Sequence, residues 1–387
     1  MNIIKNQRNS NLEILRILSM VFIVSCHFAS CGFEDYTLFI SNPNNYLIYF
    51  LNLFGKVGVN VFILISAYFM INSKFTLKKL LVLGGEVCFY SIVLSLIMLI
   101  LVPMISITHF NILRAVFAIS HGYWFISCYI VLMLFSPFLN KFIKGLSKNT
   151  LLKLLLLLII IWSIYPTFTG ASLMYGDSFG YGYMIWFIIL YFIGAFIRLH
   201  LDIKQFSSKK LFAILIASVT ILYFSSAITG QLAILFDIET FVYGGTTAFI
   251  PSEFFTRENR FFVLTMSLSL FLIFLKRKEF SNKYINYFAG STLGVYLIHN
   301  NVFVWEYLWK SLINVSSYYY SPILWIVAII SIVAVYLVCT GIDIIRRETV
   351  EKWWIRFIDT KLRDIIYRLY IKGINCCTKV LTSLLAK

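Results

Sequence analysis

Residues 11–32 read NLEILRILSMVFIVSCHFASCG and are predominantly apolar. About 20 mostly apolar residues in succession are enough to cross a bilayer core of about 30 Å as an α-helix. Three ionisable residues, Glu13, Arg16 and His27, nevertheless lie inside this run. An ionisable group within a membrane span costs roughly 3 kcal/mol or more, so each of the three needs a structural or chemical reason to be there.

The rest of the chain repeats this apolar pattern. Of its 387 residues, 60% are apolar and 13% are charged, and the mean hydropathy is +0.85. Soluble domains contain about 45–50% apolar and about 25% charged residues, so a water-soluble globule is excluded. The sequence predicts an all-α, polytopic membrane bundle of about ten transmembrane helices. The apolar runs lie at 11–32, 48–71, 80–104, 122–141, 151–168, 183–200, 211–230, 260–276, 285–309 and 321–345.

The basic residues between these runs predict how the chain is oriented. If the N-terminus is cytoplasmic, most lysines and arginines fall on the inner side, and the positive-inside rule then predicts that both termini are cytoplasmic. The outer side keeps only Lys56, Arg114, Arg257, Arg260 and Lys310. The net charge of +16 is spread between apolar runs rather than gathered on a polar surface. We therefore expect a multi-pass protein of the plasma membrane and no nucleic-acid partner.

Two regions are predicted, a transmembrane bundle at 1–345 and a tail at 346–387. In the tail, apolar residues recur at helical spacing among arginines and lysines. This pattern is typical of an amphipathic helix that lies on anionic headgroups, so we expect the tail to bind membrane lipids. The seven cysteines include no CxxC pair, so neither a metal site nor a disulfide framework is predicted. P-loop and HExxH motifs are also absent, which disfavours an ATPase and a zinc protease.

Arg16 and His27 share one face of the first helix, because eleven residues make three turns plus about 20°. Their separation along the helix axis is roughly 16 Å, which places Arg16 at the inner mouth and His27 well inside the membrane. This geometry suits an elongated ligand with an anionic head at Arg16 and a reactive end at His27, where the imidazole can act as a general base. The alternative is a packing histidine and an arginine that extends to the interface.

Other polar residues in the spans also allow two interpretations. His299, one turn after Tyr296, can orient a catalytic base or hold an acceptor, or it can simply form hydrogen bonds between helices. The same alternatives apply to Asn60 and Ser66 in the second span. His121 and Trp124 lie where the fourth span begins, and Trp124 suits either an aromatic belt or stacking on a sugar ring.

Four motifs in order along the bundle resemble the acyltransferase 3 family of bacterial membrane O-acyltransferases. The first is Arg16-x10-His27, which is similar to the family's basic-residue-x10-His motif, and the second is the Phe-rich segment 61–69, VFILISAYF. The third is HGYWFI at 121–126, and the fourth is GVYLIH at 294–299. Two departures are Ala67 in place of the usual Gly, and Lys74, Lys78 and Lys79 where the family often has Arg-x-x-Arg.

The resemblance implies transfer of an acyl group, usually acetyl, from cytoplasmic acyl-CoA to a hydroxyl of an exopolysaccharide, a capsule or another cell-envelope glycan. No permanently bound cofactor is implied, since acetyl-CoA or another acyl-CoA is a substrate. Polysaccharide-assembly proteins are possible partners, and the bacterial plasma membrane is the implied location. The family's fused extracellular lipase-like domain is not found in this sequence. Transfer would then be completed by the membrane part or by a partner.

The resemblance also implies roles for the candidate residues. His27, Arg16 and His299 are the expected catalytic residues, with His27 as the general base or as the group that takes the acyl chain first. The expected donor-binding residues are Arg16, Lys74, Lys78 and Lys79. Those expected to bind the acceptor are His121, Trp124, Tyr296, Asn60 and Ser66.

Two other functions stay open at this stage. The first is a transporter or flippase for a lipid-linked sugar or glycan, although the paired, interrupted helices of many transporters are not found. The second, within the same family, is acylation of a small molecule, or use of succinyl-CoA as the donor.

Overall fold

The computed structural model describes residues 8–33, 42–102, 122–169, 183–235 and 257–362, and six further positions between 368 and 378. All regular structure in these ranges is helical. Within the described ranges, eight helices are long and apolar enough to cross a membrane. The predicted all-α membrane bundle is therefore confirmed. The number of crossings and the cytoplasmic placement of both termini stay predictions.

The helices follow the apolar runs closely. A ninth apolar helix, α8, has 16 residues and is shorter than the eight candidate spans. The main elements are α1 Ser10–Gly32, α2 Asn44–Met70, α3 Leu77–Leu101, α4 Trp124–Gly145, α5 Lys148–Thr169, α6 Tyr183–His200, α7 Ser208–Leu235, α8 Phe261–Lys276, α9 Lys283–Ala289, α10 Thr292–His299 and α11 Leu324–Arg346. Shorter helical turns lie at Val304–Glu306, Tyr307–Leu312 and Val315–Tyr318.

The predicted ninth span, 285–309, is not one continuous helix. It is divided into α9, α10 and the turns that follow, with breaks at Gly290–Ser291 and at Asn300–Asn301. The Asn301 side chain accepts a hydrogen bond from the backbone N–H of Phe303, at 3.1 Å. An Asn side chain that bonds a nearby backbone N–H competes with the helical hydrogen bonds, which favours a helix end at this position. As a result, His299 is the last residue of α10 rather than a residue in the middle of a span.

Helices α1 and α2 are antiparallel and in close contact. A Cβ atom on Gly55 would lie 2.2 Å from the Cβ of Cys26, so only glycine allows the two backbones to approach this closely here. The Arg16 guanidinium carbon lies 6.0 Å from the centre of the Phe62 ring, further along the same interface. His27 is therefore level with the first half of α2, and Arg16 is level with its second half.

Helix α10 packs against α1, α3 and α11. A Cβ atom on Gly294 would lie 2.2 Å from Oδ1 of Asp343, so the buried carboxylate of α11 occupies the space beside this glycine. That carboxylate accepts hydrogen bonds from Tyr90 of α3, at 2.8 Å, and from Arg346, at 2.9 Å. The position of α10, which carries Tyr296 and His299, is thus fixed from two neighbouring helices.

Helix α11 continues into the tail without a break in helical structure, through Arg347–Glu351, Lys352–Phe357 and Ile358–Leu362. The Trp354 indole N–H donates to the carbonyl oxygen of Leu81 at 3.0 Å, and Ile358 is buried. This part of the tail therefore packs on the first turns of α3. The predicted boundary at 345/346 and the membrane-binding role of the tail stay predictions.

Candidate active site

His27 on α1 and His299 on α10 are in direct contact. Nδ1 of His27 lies 2.9 Å from Nε2 of His299, and the ring centres are 5.0 Å apart. His299 is fully buried, whereas His27 is partly exposed. Nδ1 of His299 lies 2.6 Å from the backbone carbonyl oxygen of Val295, one turn earlier on the same helix. The three groups form one hydrogen-bonded row.

The carbonyl at the end of this row determines where the protons lie. A carbonyl oxygen can only accept, so Nδ1 of His299 carries a proton and donates it to Val295. In a neutral His299 the other nitrogen, Nε2, is then an acceptor, and Nδ1 of His27 donates to it. In a neutral His27 this leaves the lone pair of Nε2 unused. That nitrogen is consequently able to take a proton or to attack a carbonyl carbon.

Tyr296 lies beside both histidines. Its ring centre is 6.5 Å from that of His27 and 6.2 Å from that of His299. The Tyr296 hydroxyl is buried and makes no hydrogen bond of normal geometry with a described residue, although the Asn300 side chain lies close enough to interact with it. Buried polar groups are nearly always hydrogen-bonded, so an unpaired hydroxyl next to a candidate base is a group that a substrate oxygen can satisfy.

Arg16 lines a cavity of about 260 Å³ at the other end of this region. Its guanidinium is held by both carboxylate oxygens of Glu13, at 2.7 and 2.9 Å, and 21% of the side chain is exposed. Lys74 and Lys79 line the same cavity. Three cations against one carboxylate give the cavity a net positive charge, which suits phosphate groups. Its other lining residues are Ser66, Phe69, Met70, Ser73, Phe75, Tyr129, Met133 and Ser136.

Lys78, the third lysine expected to bind the donor, does not line this cavity. Its ammonium group lies 2.7 Å from a carboxylate oxygen of Asp359 in the tail. Both side chains line a separate cavity of about 340 Å³ between the start of α3 and the tail. The structure thus divides the three predicted lysines between two sites.

The residues expected to bind the acceptor are spread over the molecule. Tyr296 lies at the histidine pair, and Ser66 lies at the cavity of Arg16, where its hydroxyl donates to the Phe62 carbonyl at 2.9 Å. Trp124 is 38% exposed and packs against Tyr183, with ring centres 4.1 Å apart. His121 lies outside the described residues.

Asn60 is fully buried, and both ends of its amide are occupied. It donates to the Glu258 carbonyl at 2.8 Å and accepts from the Trp186 indole at 2.9 Å. This arrangement fits the alternative from the sequence, in which Asn60 links helices by hydrogen bonds.

Two polar groups were not selected from the sequence as site residues. Glu258 is fully buried and pairs with Lys56 at 2.9 Å, although the two lie 202 positions apart. Arg346 contacts three carboxylates, those of Asp343, Glu86 and Glu351, at 2.9, 3.1 and 2.8 Å. The Arg346 group could have been found from the sequence, because charged residues lie inside the apolar runs 80–104 and 321–345. No pattern in the sequence links Lys56 to Glu258.

The family model of an acyltransferase domain matches residues 9–343, which include α1, α10 and nearly all of α11. The chain belongs to the acyltransferase 3 family. It is a multi-pass membrane acyltransferase, as the four ordered motifs predicted. Comparison with curated proteins and with solved structures gave no significant match. The match includes both histidines of the pair and every cationic residue that lines the cavity of Arg16 in this acyltransferase.

Proposed function

We propose that this acyltransferase moves a short acyl group, most simply acetyl, from cytoplasmic acyl-CoA to a hydroxyl of a cell-envelope glycan. The observation that carries this proposal is the row from His27 through His299 to the Val295 carbonyl, because it leaves Nε2 of His27 free. A histidine held in this way is oriented by its partner and available as a base.

The cavity of Arg16 supports the donor end of the proposal. Coenzyme A carries phosphates at one end and a thioester at the other, and Arg16, Lys74 and Lys79 offer positive charge within one cavity. Phosphate groups bind arginine through two parallel hydrogen bonds and lysine as a point charge. With its phosphates at this cavity, the arm of the donor extends along α1 over the roughly 16 Å that separates Arg16 from His27.

In the proposed reaction Nε2 of His27 takes the proton of the acceptor hydroxyl, and the hydroxyl oxygen attacks the thioester carbon. The carbon–sulfur bond then breaks, and the leaving thiolate takes the proton back from His27. His299 keeps the His27 ring in position by accepting from its Nδ1–H. The Tyr296 hydroxyl is suited to donate a hydrogen bond to a substrate oxygen in this step, since no hydrogen bond of normal geometry to a described residue holds it.

The test is the O-acyl content of the envelope glycans, measured by NMR in cells that carry the wild type, His27→Ala or the control His200→Ala. His200 contacts the Phe196 ring, with centres 5.5 Å apart. We expect His27→Ala to lose the O-acyl signal and His200→Ala to keep it, at equal amounts of protein in the membrane. An undiminished signal in His27→Ala contradicts the role of His27. Sugar transport without any acyl transfer would favour the transporter.

A further inference from the structure

The cavity of Arg16 does not extend to His27. Among the described residues, neither His27 nor any residue of α10 lines the cavity, and from α4 it is lined by Tyr129, Met133 and Ser136. A donor bound there has to bring its acyl end past other side chains before it meets His27. The identity of those side chains therefore decides which acyl ends can pass.

Two contact chains lead from the cavity toward the histidines, and they meet at the Phe125 ring. From α1, the Arg16 guanidinium lies over the Phe62 ring, which meets the Phe125 ring with centres 5.8 Å apart. From α4, the Tyr129 ring stacks on Phe125, with centres 6.1 Å apart. Phe62 and Phe125, which we name the phenylalanine pair, are both buried.

Beyond the phenylalanine pair lies the histidine site. The Phe125 ring meets the Tyr296 ring with centres 5.8 Å apart, and Tyr296 in turn neighbours His27. The pair thus stands between the cationic cavity and the candidate base, and its members come from two different helices, α2 and α4.

The chemistry of the pair sets what it can admit. Neither ring offers a hydrogen-bond donor or acceptor, so a carboxylate that passes between them loses its water without compensation. Packed side chains also resist a wide group more than a narrow one, since the rings must leave their favoured positions. An acetyl group is uncharged and narrow, whereas a succinyl group carries a carboxylate and an isobutyryl group is branched.

We propose that the phenylalanine pair selects the donor, so that this acyltransferase uses uncharged, unbranched, short acyl thioesters and rejects acidic and branched ones. The inference rests on the proposed function, because it assumes that the thioester moves from the cavity of Arg16 to His27. It assigns to Phe62 and Phe125 a role in donor specificity.

The experiment supplies radiolabelled acetyl-CoA, isobutyryl-CoA or succinyl-CoA to inside-out membrane vesicles of the producing cell, which contain the acceptor. The readout is label incorporated into envelope material, with the His27→Ala background subtracted. We expect the wild type to prefer acetyl-CoA over the other two by about tenfold or more in kcat/KM. Phe62→Ala and Phe125→Ala should reduce that preference several-fold. If the alanine variants are degraded, Phe125→Leu takes their place, and it should reduce the preference by a smaller factor.

Phe271→Ala is the matched control. Phe271 is fully buried and contacts Tyr68 rather than the pair, with ring centres 5.8 Å apart, so its loss should leave the donor preference at the wild-type value. Equal use of succinyl-CoA and acetyl-CoA by the wild type overturns the inference while the proposed function stands. If the Phe62 and Phe125 variants keep the wild-type donor preference, the inference is also overturned and the proposed function still stands. Incorporation from none of the three donors by the wild type overturns the proposed function, and this inference with it.

Discussion

Nδ1 of His27 and Nε2 of His299 lie 2.9 Å apart, although 272 positions separate the two residues in the chain. The contact joins the first long helix to the short helix α10, which ends at His299. The Val295 carbonyl can only accept, so Nδ1 of His299 carries a proton. Each histidine then donates toward Val295, and the nitrogen at the other end of the row is Nε2 of His27. Each histidine is part of a different motif, and the contact brings the two motifs into one site.

The first prediction concerns His299 as a positioning residue. His299→Ala removes the acceptor for Nδ1–H of His27, so the His27 ring loses its orientation. We expect kcat for acyl transfer to fall roughly 10–100-fold, while KM for acyl-CoA stays near the wild-type value. His299→Asn retains an acceptor oxygen and should recover part of kcat. A fall in kcat equal to that of His200→Ala would show that the contact has no role in the reaction.

The second prediction separates the basic residues at the two cavities. Arg16→Ala removes a cation from the cavity of about 260 Å³ and should raise KM for acyl-CoA about tenfold or more, with a smaller effect on kcat. Lys74→Ala and Lys79→Ala should act in the same direction. Lys78→Ala breaks only a half-exposed ion pair with Asp359 and should change KM less than about twofold. If Lys78→Ala weakened donor use as much as Arg16→Ala, the assignment of the donor to this cavity would be wrong.

The third prediction tests the packing of α10 on α11. A Cβ atom on Gly294 would lie 2.2 Å from Oδ1 of Asp343, and that carboxylate is held by Tyr90 and Arg346. Gly294→Ala should lower the free energy of unfolding by about 1–3 kcal/mol, seen as a lower Tm in detergent. The control is Gly341→Ala on α11, where no atom lies within 4 Å of the added Cβ. Its Tm should equal or exceed that of the wild type.

The fourth prediction concerns Asn60 as a structural residue. Asn60→Ala leaves the Trp186 indole N–H and the Glu258 carbonyl without their partner, which costs about 1–3 kcal/mol of stability. We expect a lower Tm with unchanged KM for acyl-CoA. Asn149→Ala, at an exposed position, should leave Tm unaltered. A normal Tm combined with a raised KM for the glycan would instead support the acceptor-binding role expected from the resemblance.

The fifth prediction compares a buried and an exposed cation. Arg346→Met removes the cation paired with the buried carboxylate of Asp343 and the partly buried carboxylate of Glu86, and such a loss costs roughly 3–5 kcal/mol. Lys352→Met removes an exposed pair with Glu348 and should cost about 0–1 kcal/mol. Chemical denaturation of the two variants in detergent measures the difference. Equal losses of stability would argue against a structural role for the Arg346 group.

Most of the helices could be predicted from the sequence, because the bilayer strongly constrains the structure of a chain that crosses it. A run of about 20 apolar residues has few alternatives to a membrane helix, so 11–32 and the later runs predicted their helices closely. Helical periodicity also placed Arg16 and His27 on one face. The exception was 285–309, which is divided at Gly290–Ser291 and at Asn300–Asn301. At the second break the Asn301 side chain bonds the backbone N–H of Phe303, a local hydrogen bond that hydropathy does not register.

The apolar runs were enough to establish an all-α membrane protein, and the ordered motifs predicted the acyltransferase family to which it belongs. Three contacts between distant parts of the chain became visible only in the folded molecule: His299 with His27, Lys78 with Asp359 of the tail, and the Phe62 ring with the Phe125 ring. The difference lies in how far apart along the chain the interacting residues are. Apolar length and helical period act within one helix, whereas contacts between helices depend on packing among residues far apart in the chain.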